Sequence, residues 1–417
     1  MSERLVVRYE RQMIGELSQS ESALMRFQYN GAWVETSSAF PISLSLPLDG
    51  SFSVTDSHNF FANLLPEANV RQQVCKSQGI SYDNDFQLLR AIGGDCAGAL
   101  TISPSDAPEP IVSQPKYESV SEEQLALWSI GTPDAFSTVT GRNEIRLSLA
   151  GAQDKLPVHI EGDQILIPVG DTPSTHILKF ASPFYSHLTE NQTFVTLLAK
   201  AVGLPVVDVY LRQTSKARVA VITRYDRILC QGQYIRLHQE DFCQASGIPS
   251  SNKYEKEGGP SLKQCAEIIR RSTSFPLVDL QRLLQWTLFN LLVGNADAHG
   301  KNLSLLYDAN GSPALAPFYD LVCTRNYKKI SRDLAMNLGG ASDPDLVGAS
   351  HFDALASELN IRPNVVVKEV KRLTEELIEA LPRTSALFAK RFGDSPVIER
   401  LPIIVRKQIR RVKTQLN

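Results

Sequence analysis

Apolar and polar residues alternate through LVVRYERQMIGEL, which predicts two short strands joined by a turn, and again through PISLSLPL, which predicts another strand around residues 43–47. The period then lengthens. NFFANLLPEANVRQQVCKSQGI repeats its apolar positions at intervals of three and four, as a helix does, and DFQLLRAIGGDCAGALTI reads as a helix stopped by Gly93-Gly94 before a return to strand. Residues 102–116 are rich in Pro and Ser and read as a linker. From about residue 145, IRLSLAGAQDKLPVHI and QILIPVG predict a strand, a Gly-containing turn and a hairpin. HILKF is a short strand, NQTFVTLLAKAVGL an amphipathic helix closed by Gly203, and VVDVYLRQ and ARVAVITRYDR two further strands. Beyond the polar, Gly-rich GIPSSNKYEKEGGP the chain is mostly helical. LVDLQRLLQWTLFNLLVGN is its most apolar helix and delivers NADAHGKN at its C-terminal end. Strands first and helices after, joined near residues 235–260, predict two lobes with a cleft.

The 417 residues exceed what one simple core accommodates and imply two or three subdomains. A formal net charge of −2 supplies no global field toward nucleic acid or an anionic membrane. Locally, RLPIIVRKQIRRVKTQLN gathers Arg400, Arg406, Lys407, Arg410, Arg411 and Lys413 with few acids. The solvated face of a terminal helix is the plain reading of that stretch, and a contact to DNA phosphates the other. Cys75, Cys96, Cys230, Cys243, Cys265 and Cys323 show no paired spacing, which suggests no zinc site and fits a reducing compartment. MSERLVVRYERQMIGEL lacks the apolar core of a signal peptide, and no run of about 18 apolar residues is long enough to span a bilayer. The expectation is a cytoplasmic protein without a membrane partner.

NADAHGKN sets Asp297, His299, Lys301 and Asn302 directly after the most apolar helix. Alone, Asp297-x4-Asn302 is weak, because about one such pair arises by chance in a chain this long. Its company strengthens it. Phosphoryl transfer from ATP requires an acid to orient and deprotonate the attacking hydroxyl, hard oxygen ligands for Mg2+, a lysine on the phosphates and backbone amides around them. In SLAGAQDK, small Ala150, Gly151 and Ala152 let main chain approach an anion and Lys155 adds charge, although an isolated AGA serves equally as a tight turn. Lys179, among apolar neighbours in HILKF, is either an inward lysine that meets a phosphate or an edge-strand lysine facing water. Asp297 is the candidate general base and Asn302 a candidate metal ligand. His299 and Lys301 contact phosphates or hold the loop through hydrogen bonds. Asp320 in LAPFYDLVCT, flanked by apolar residues, is the second candidate metal ligand.

Motif for motif, the chain resembles the HipA family of bacterial toxin serine/threonine kinases, essentially end to end. PISLSLPL, FFANLLPE and IGGDCAGAL are similar to that family's accessory subdomain; LSLAGAQDK, THILKF, RYDR, LHQEDFCQ, GIPSSNKYEKEGGP, GNADAHGKNLS and PFYDLV match its kinase-core motifs in order. The resemblance implies an α+β, two-lobed protein-kinase-like fold. Residues 1–110 would form the accessory subdomain, 111–235 the rest of a strand-rich N-terminal lobe with the phosphate-binding loop, and 236–417 an all-helical C-terminal lobe with the catalytic loop. It implies ATP and Mg2+ as cofactors. Ala150, Gly151, Ala152, Gln153, Asp154 and Lys155 would be the phosphate-binding loop, Lys179 the lysine on the α/β-phosphates, and Thr223, Arg224 and Tyr225 the hinge to adenine. Asp297 would be the base, His299, Gly300, Lys301 and Asn302 the nucleotide- and metal-contacting turn, Tyr319 a nucleotide contact and Asp320 the second Mg2+ ligand.

Ser148 occupies the position of the family's regulatory autophosphorylated serine. A phosphate there adds about −1.5 to −2 charge beside a loop meant for ATP phosphates, which would expel the loop and make the modification self-inactivating; an ordinary strand serine is the alternative. The chain departs from the family pattern twice, with Thr223 where an acid is frequent and Gln192 where Glu is common. The resemblance also implies a HipB-like helix-turn-helix antitoxin as partner, and contact with operator DNA mainly through that antitoxin. The implied substrate is an aminoacyl-tRNA synthetase, of glutamyl type, whose phosphorylation halts translation. A kinase of small molecules or lipids, and a pseudokinase co-repressor working through the antitoxin, are the alternatives.

Overall fold

The computed structural model describes residues 3–107, 115–130, 147 and 153–416. They group into two compact units, one of Met1–Pro183, Thr214–Ser250 and Leu306–Ser312, the other of Phe184–Gln213, Ser251–Leu305 and Pro313–Asn417.

The first unit begins with an antiparallel sheet in the order Met25–Tyr29, Gln12–Gln19, Arg4–Tyr9, Leu100–Pro104, so the opening hairpin forms where alternation placed it. Helix Val54–Ala62 packs on the strand Met25–Tyr29, burying Phe60 and Phe61, and starts from a Ser53/Asp56 capping box. The long helical pattern after it is two helices, Val54–Ala62 and Ala68–Gln78. Pro66 lies in the break, and a proline disfavours helical backbone in the residue before it. Helix Asp85–Ile92 stops at Gly93 as expected. Strand Leu100–Pro104 claims the first residues of the expected linker, whose residues 108–114 lie outside the described ones.

PISLSLPL is not a strand. It makes only an isolated bridge, Ser43 to Leu46, because its polar groups turn to a side chain instead of a ladder. Ser43 Oγ and Leu44 N donate to the buried Glu240 carboxylate at 2.5 and 3.1 Å, as does the Tyr307 hydroxyl.

A second antiparallel array in this unit runs Tyr117–Ser119, Gln164–Pro168, Lys155–Glu161, His176–Lys179, Arg218–Thr223. Beside it lies a buried ionic cluster. Arg224 grips both oxygens of Asp226 at 2.9 and 2.7 Å, while Asp95 accepts from Arg227 at 2.8 Å, Arg236 at 3.1 Å and Ser174 Oγ at 2.6 Å. Burial pushes the Asp95 carboxyl up, but Arg227, Arg224 and Arg236 outweigh it and hold the group well below the usual carboxylate range.

In the second unit the apolar helix of the sequence spans Pro276–Val293, with Pro at its first turn and Gly294 at its end. Helices Leu262–Ser272, Pro363–Phe392 and Val397–Leu416 pack against it. Helix Leu188–Ala201 is not amphipathic: every residue from Thr189 to Ala199 is buried, packed against helices Pro363–Phe392 and Val397–Leu416 and strand Val209–Gln213. Its threonines fit a buried helix because Thr193 and Thr196 hydroxyls donate back to the carbonyls of Thr189 and Gln192, each at 2.8 Å. The stretch 236–417, expected to be all helical, also holds short strands Gln239–Asp241, Ser304–Tyr307 and Pro313–Leu315. The second of these is SLLY, whose Leu and Tyr residues suit extended chain leaving the turn at Asn302. Helix Val397–Leu416 turns Arg406, Lys407, Arg410 and Lys413 to solvent. Among the described residues no helix is long and apolar enough to cross a membrane.

Candidate active site

The turn 295–302 is built by the end of helix Pro276–Val293. Gly294 takes a left-handed backbone, φ +72°, which reverses the chain and lets its N–H reach back to the helix carbonyls. Side chains then replace the missing main-chain bonds. Asn295 Nδ2 donates to Asn290 Oδ1 at 2.8 Å and its Oδ1 accepts from Asp297 N at 3.0 Å; Thr324 Oγ1 accepts from Ala296 N at 2.8 Å and donates to the Gly294 carbonyl at 3.0 Å. A 3-10 turn, Gly300–Asn302, follows. Asn302 Nδ2 donates to the Asp297 carbonyl at 2.7 Å, which ties the two ends of the Asp-x4-Asn motif and turns the amide oxygen away from that bond.

Asp297 keeps 45% of its side chain exposed, whereas His299, Lys301 and Asn302 are buried. His299 Nε2 lies 3.8 Å from Asp297 Oδ1. Tyr319 anchors the turn from outside, its hydroxyl donating to the Lys301 carbonyl at 2.6 Å and sharing a 2.6 Å hydrogen bond with Ser304 Oγ. Asp320, the next residue, holds a left-handed backbone at φ +56° and accepts from Gln192 Nε2 at 2.8 Å through Oδ1. Asn191 secures the same segment by trading two hydrogen bonds with the Cys323 main chain, at 3.0 and 2.9 Å. One unit thus brings Asp297, His299, Gly300, Lys301, Asn302, Tyr319 and Asp320 into one braced neighbourhood.

The donor set suits Mg2+: Asn302 and Asp320 offer hard oxygens, each oriented by a hydrogen bond through a different atom or lone pair. Among the described residues no group of three or more His, Cys, Asp or Glu is placed to hold a metal ion.

In the other unit, Lys179 lies on an interior strand with 8% exposure, not at an edge. Lys155 is its cross-strand partner, so both side chains project from the same face of the sheet. Gln153 and Asp154 precede Lys155 half-buried, and burial raises the Asp154 carboxyl to about 6 against the lowering effect of the Lys155 N–H. Thr223 is exposed at the end of its strand, and Tyr225 meets Gln239 through its hydroxyl. Arg224's guanidinium belongs to the ionic cluster, which leaves main chain as what this residue offers a ligand. Ser148, Ala150, Gly151 and Ala152 lie outside the described residues.

Residue types alone did not single out Asn295, Thr324, Asn191 or Tyr254. Asn295 carried a signal, since an amide just past a helix-ending Gly is placed to cap the turn. The partners of the other three lie across the fold.

Comparison with known proteins follows the same outline. Residues 5–103 match the HipA N-terminal domain and residues 147–384 the HipA-like C-terminal domain. The chain is 38% identical over 384 residues to a putative kinase, Y4mE, of Sinorhizobium fredii, with 91% of each chain covered. To the serine/threonine-protein kinase toxin HipA of Shewanella oneidensis it is 34% identical over 388 residues, covering 88% of this chain and 86% of that one. Among solved structures, the fold matches one from a complex of Shewanella oneidensis HipA, HipB and operator DNA with a TM-score of 0.85 at 28% identity, over 98% of this chain and 97% of that chain. Both domain signatures in order, matched across nearly the whole length of kinase relatives, place the chain in the HipA family.

Proposed function

We propose that the chain is an ATP- and Mg2+-dependent serine/threonine protein kinase acting as the toxin of a toxin–antitoxin pair. The observation that carries this reading is the tie between Asn302 and Asp297, which sets a half-exposed carboxylate and a buried amide at fixed separation in a turn that Tyr319 braces beside Asp320. Asp297 accepts the proton of the acceptor hydroxyl as its oxygen bonds to the γ-phosphorus and the bond to the β,γ-bridging oxygen breaks, releasing ADP. Asn302 and Asp320 would hold Mg2+, which when bound would neutralise charge on the phosphate oxygens. Lys155 and Lys179 contact the phosphates, together with the main chain of Ala150, Gly151, Ala152, Gln153 and Asp154. Thr223, Arg224 and Tyr225 meet the adenine through main chain, and His299, Gly300, Lys301 and Tyr319 line the nucleotide.

The family resemblance supports the finer assignments. The acceptor is an aminoacyl-tRNA synthetase of glutamyl type, Ser148 is autophosphorylated with loss of activity, and a HipB-like helix-turn-helix antitoxin holds the toxin and carries it to operator DNA. The DNA-bound complex of the Shewanella oneidensis relative supports the last of these.

The test is phosphate incorporation from radiolabelled ATP into the chain and into purified synthetases. Asp297→Asn is expected to lower transfer by about 10²–10⁴-fold while ATP still binds. Label undiminished in that variant contradicts the assignment, and unchanged ATP affinity after Ser148 phosphorylation contradicts the self-inactivation.

A further inference from the structure

Tyr254 stands in GIPSSNKYEKEGGP, a motif to which the proposed mechanism gives no task. Its hydroxyl donates to Asp297 Oδ1 at 2.5 Å. Its ring meets the His299 ring edge to face, with centroids 5.1 Å apart and planes at 86°. Main-chain bonds hold the segment on both sides of the tyrosine: Gly300 N donates to the Lys253 carbonyl at 3.3 Å, and Glu255 N to the Ala335 carbonyl at 2.9 Å. The Glu255 carboxylate adds two bonds from Asn337, at 2.6 and 3.2 Å. Tyr254 is therefore delivered to the catalytic turn by backbone it does not control, and its phenol arrives on one chosen oxygen.

The choice of oxygen matters. The phenol donor and the nearer nitrogen of His299 both converge on Oδ1, and neither uses Oδ2. An aspartate carboxylate otherwise rotates over a broad range about its last torsion, so a general base without an anchor spends much of its time misaligned. A neutral phenol suits the anchoring task, because it donates one hydrogen bond and stays protonated near neutral pH.

We propose that Tyr254 is the positioning residue of the catalytic base: it pins Oδ1 and presents Oδ2 as the atom that takes the acceptor's proton. This rests on Asp297 being the base. The pinned carboxylate accepts one proton from the acceptor hydroxyl and Tyr254 neither gains nor loses one, so the phosphoryl-transfer balance is unchanged.

The experiment compares wild type, Tyr254→Phe, Tyr254→Ala and Asp297→Asn as unphosphorylated full-length chains. Single-turnover phosphate incorporation is followed against ATP concentration, and affinity for a fluorescent ATP analogue is measured separately. Tyr254→Phe keeps the ring against His299 and removes only the donor. It is expected to lower the maximal rate about 10–100-fold with half-saturating ATP and analogue affinity within about twofold of wild type. Tyr254→Ala loses at least as much. A wild-type rate in Tyr254→Phe overturns the proposal. So does a higher rate, which would make the phenol an obstruction at the acceptor site, or a parallel loss of nucleotide affinity, which would make it a mere structural prop. A wild-type rate in Asp297→Asn overturns the base assignment instead, whatever Tyr254→Phe does.

Discussion

Gln192 Nε2 donates to Asp320 Oδ1 at 2.8 Å, an amide resting on the carboxylate proposed to hold Mg2+. The geometry gives this neutral side chain a use. It orients the aspartate without adding a second negative charge, so the carboxylate is held ready before any cation arrives. Gln192→Leu keeps the buried volume and deletes the donor. Affinity for Mn2+, read by the loss of its free electron-spin signal in the presence of nucleotide, is expected to fall about 10–100-fold. Unchanged affinity would mean that Asp320 is oriented by other contacts.

Gly294 tests how the turn is delivered. At φ +72° a side chain is strained, and a Cβ would come within 2.8 Å of the Arg325 side chain. Gly294→Ala is expected to lower unfolding free energy by about 1–3 kcal/mol in denaturant titration. It should also lower transfer rate more than nucleotide affinity, because Asp297, the proposed base, sits three residues beyond the strained one. A stable variant with full rate would show that the turn tolerates a different exit from the helix.

Asp95 is expected to be among the most sensitive positions of the first unit. Asp95→Asn leaves Arg227, Arg224 and Arg236 crowded in a buried site with one carboxylate, Asp226, between them. Removing one partner of such a buried network costs about 3–5 kcal/mol, measurable as a lower urea midpoint. A loss under about 1 kcal/mol would show that water relieves the arginines.

Glu240 predicts a pH dependence of stability. Burial, against hydrogen bonds from Ser43, Tyr307 and Leu44, raises its carboxyl to about 7 from 4.5. Between those values the folded chain keeps a proton that the unfolded chain has lost, so its contribution to stability shrinks as pH rises through the window. Nearby His238 works oppositely: burial lowers it to about 4, which favours the fold as pH rises toward the ordinary histidine value. Glu240→Gln shares that histidine, so the difference between variant and wild type isolates the acid. Melting temperature of the variant relative to wild type is expected to rise from pH 5 to pH 7.5; a constant difference would refute a titrating Glu240.

The turn 295–302 was legible because its signals are local. A long apolar period, a Gly that ends it and an Asp-x4-Asn spacing all fall within one stretch of chain, and the structure joins Asp297 to Asn302 there. Lys179 was legible only in part, since interior and edge strands share one alternation and the pairing partners decide between them. PISLSLPL was misread for a related reason: its alternation is strand-like, but Glu240, far along the chain, supplies the acceptors a neighbouring strand would have given. Helix Leu188–Ala201 looked amphipathic because buried threonines hide their hydroxyls in their own helix. The hydrogen bond from Tyr254 to Asp297 spans 43 positions, and no periodicity encodes a contact of that range.

Asp320 has a positive φ, a conformation that few side chains other than glycine, asparagine and aspartate adopt readily. Charge and main-chain path are thus selected together at this one position. Alanine there would disturb the route of the segment as well as its carboxylate, whereas asparagine removes the charge and keeps the bend. For this residue the amide, not the methyl, is the substitution that asks a single question.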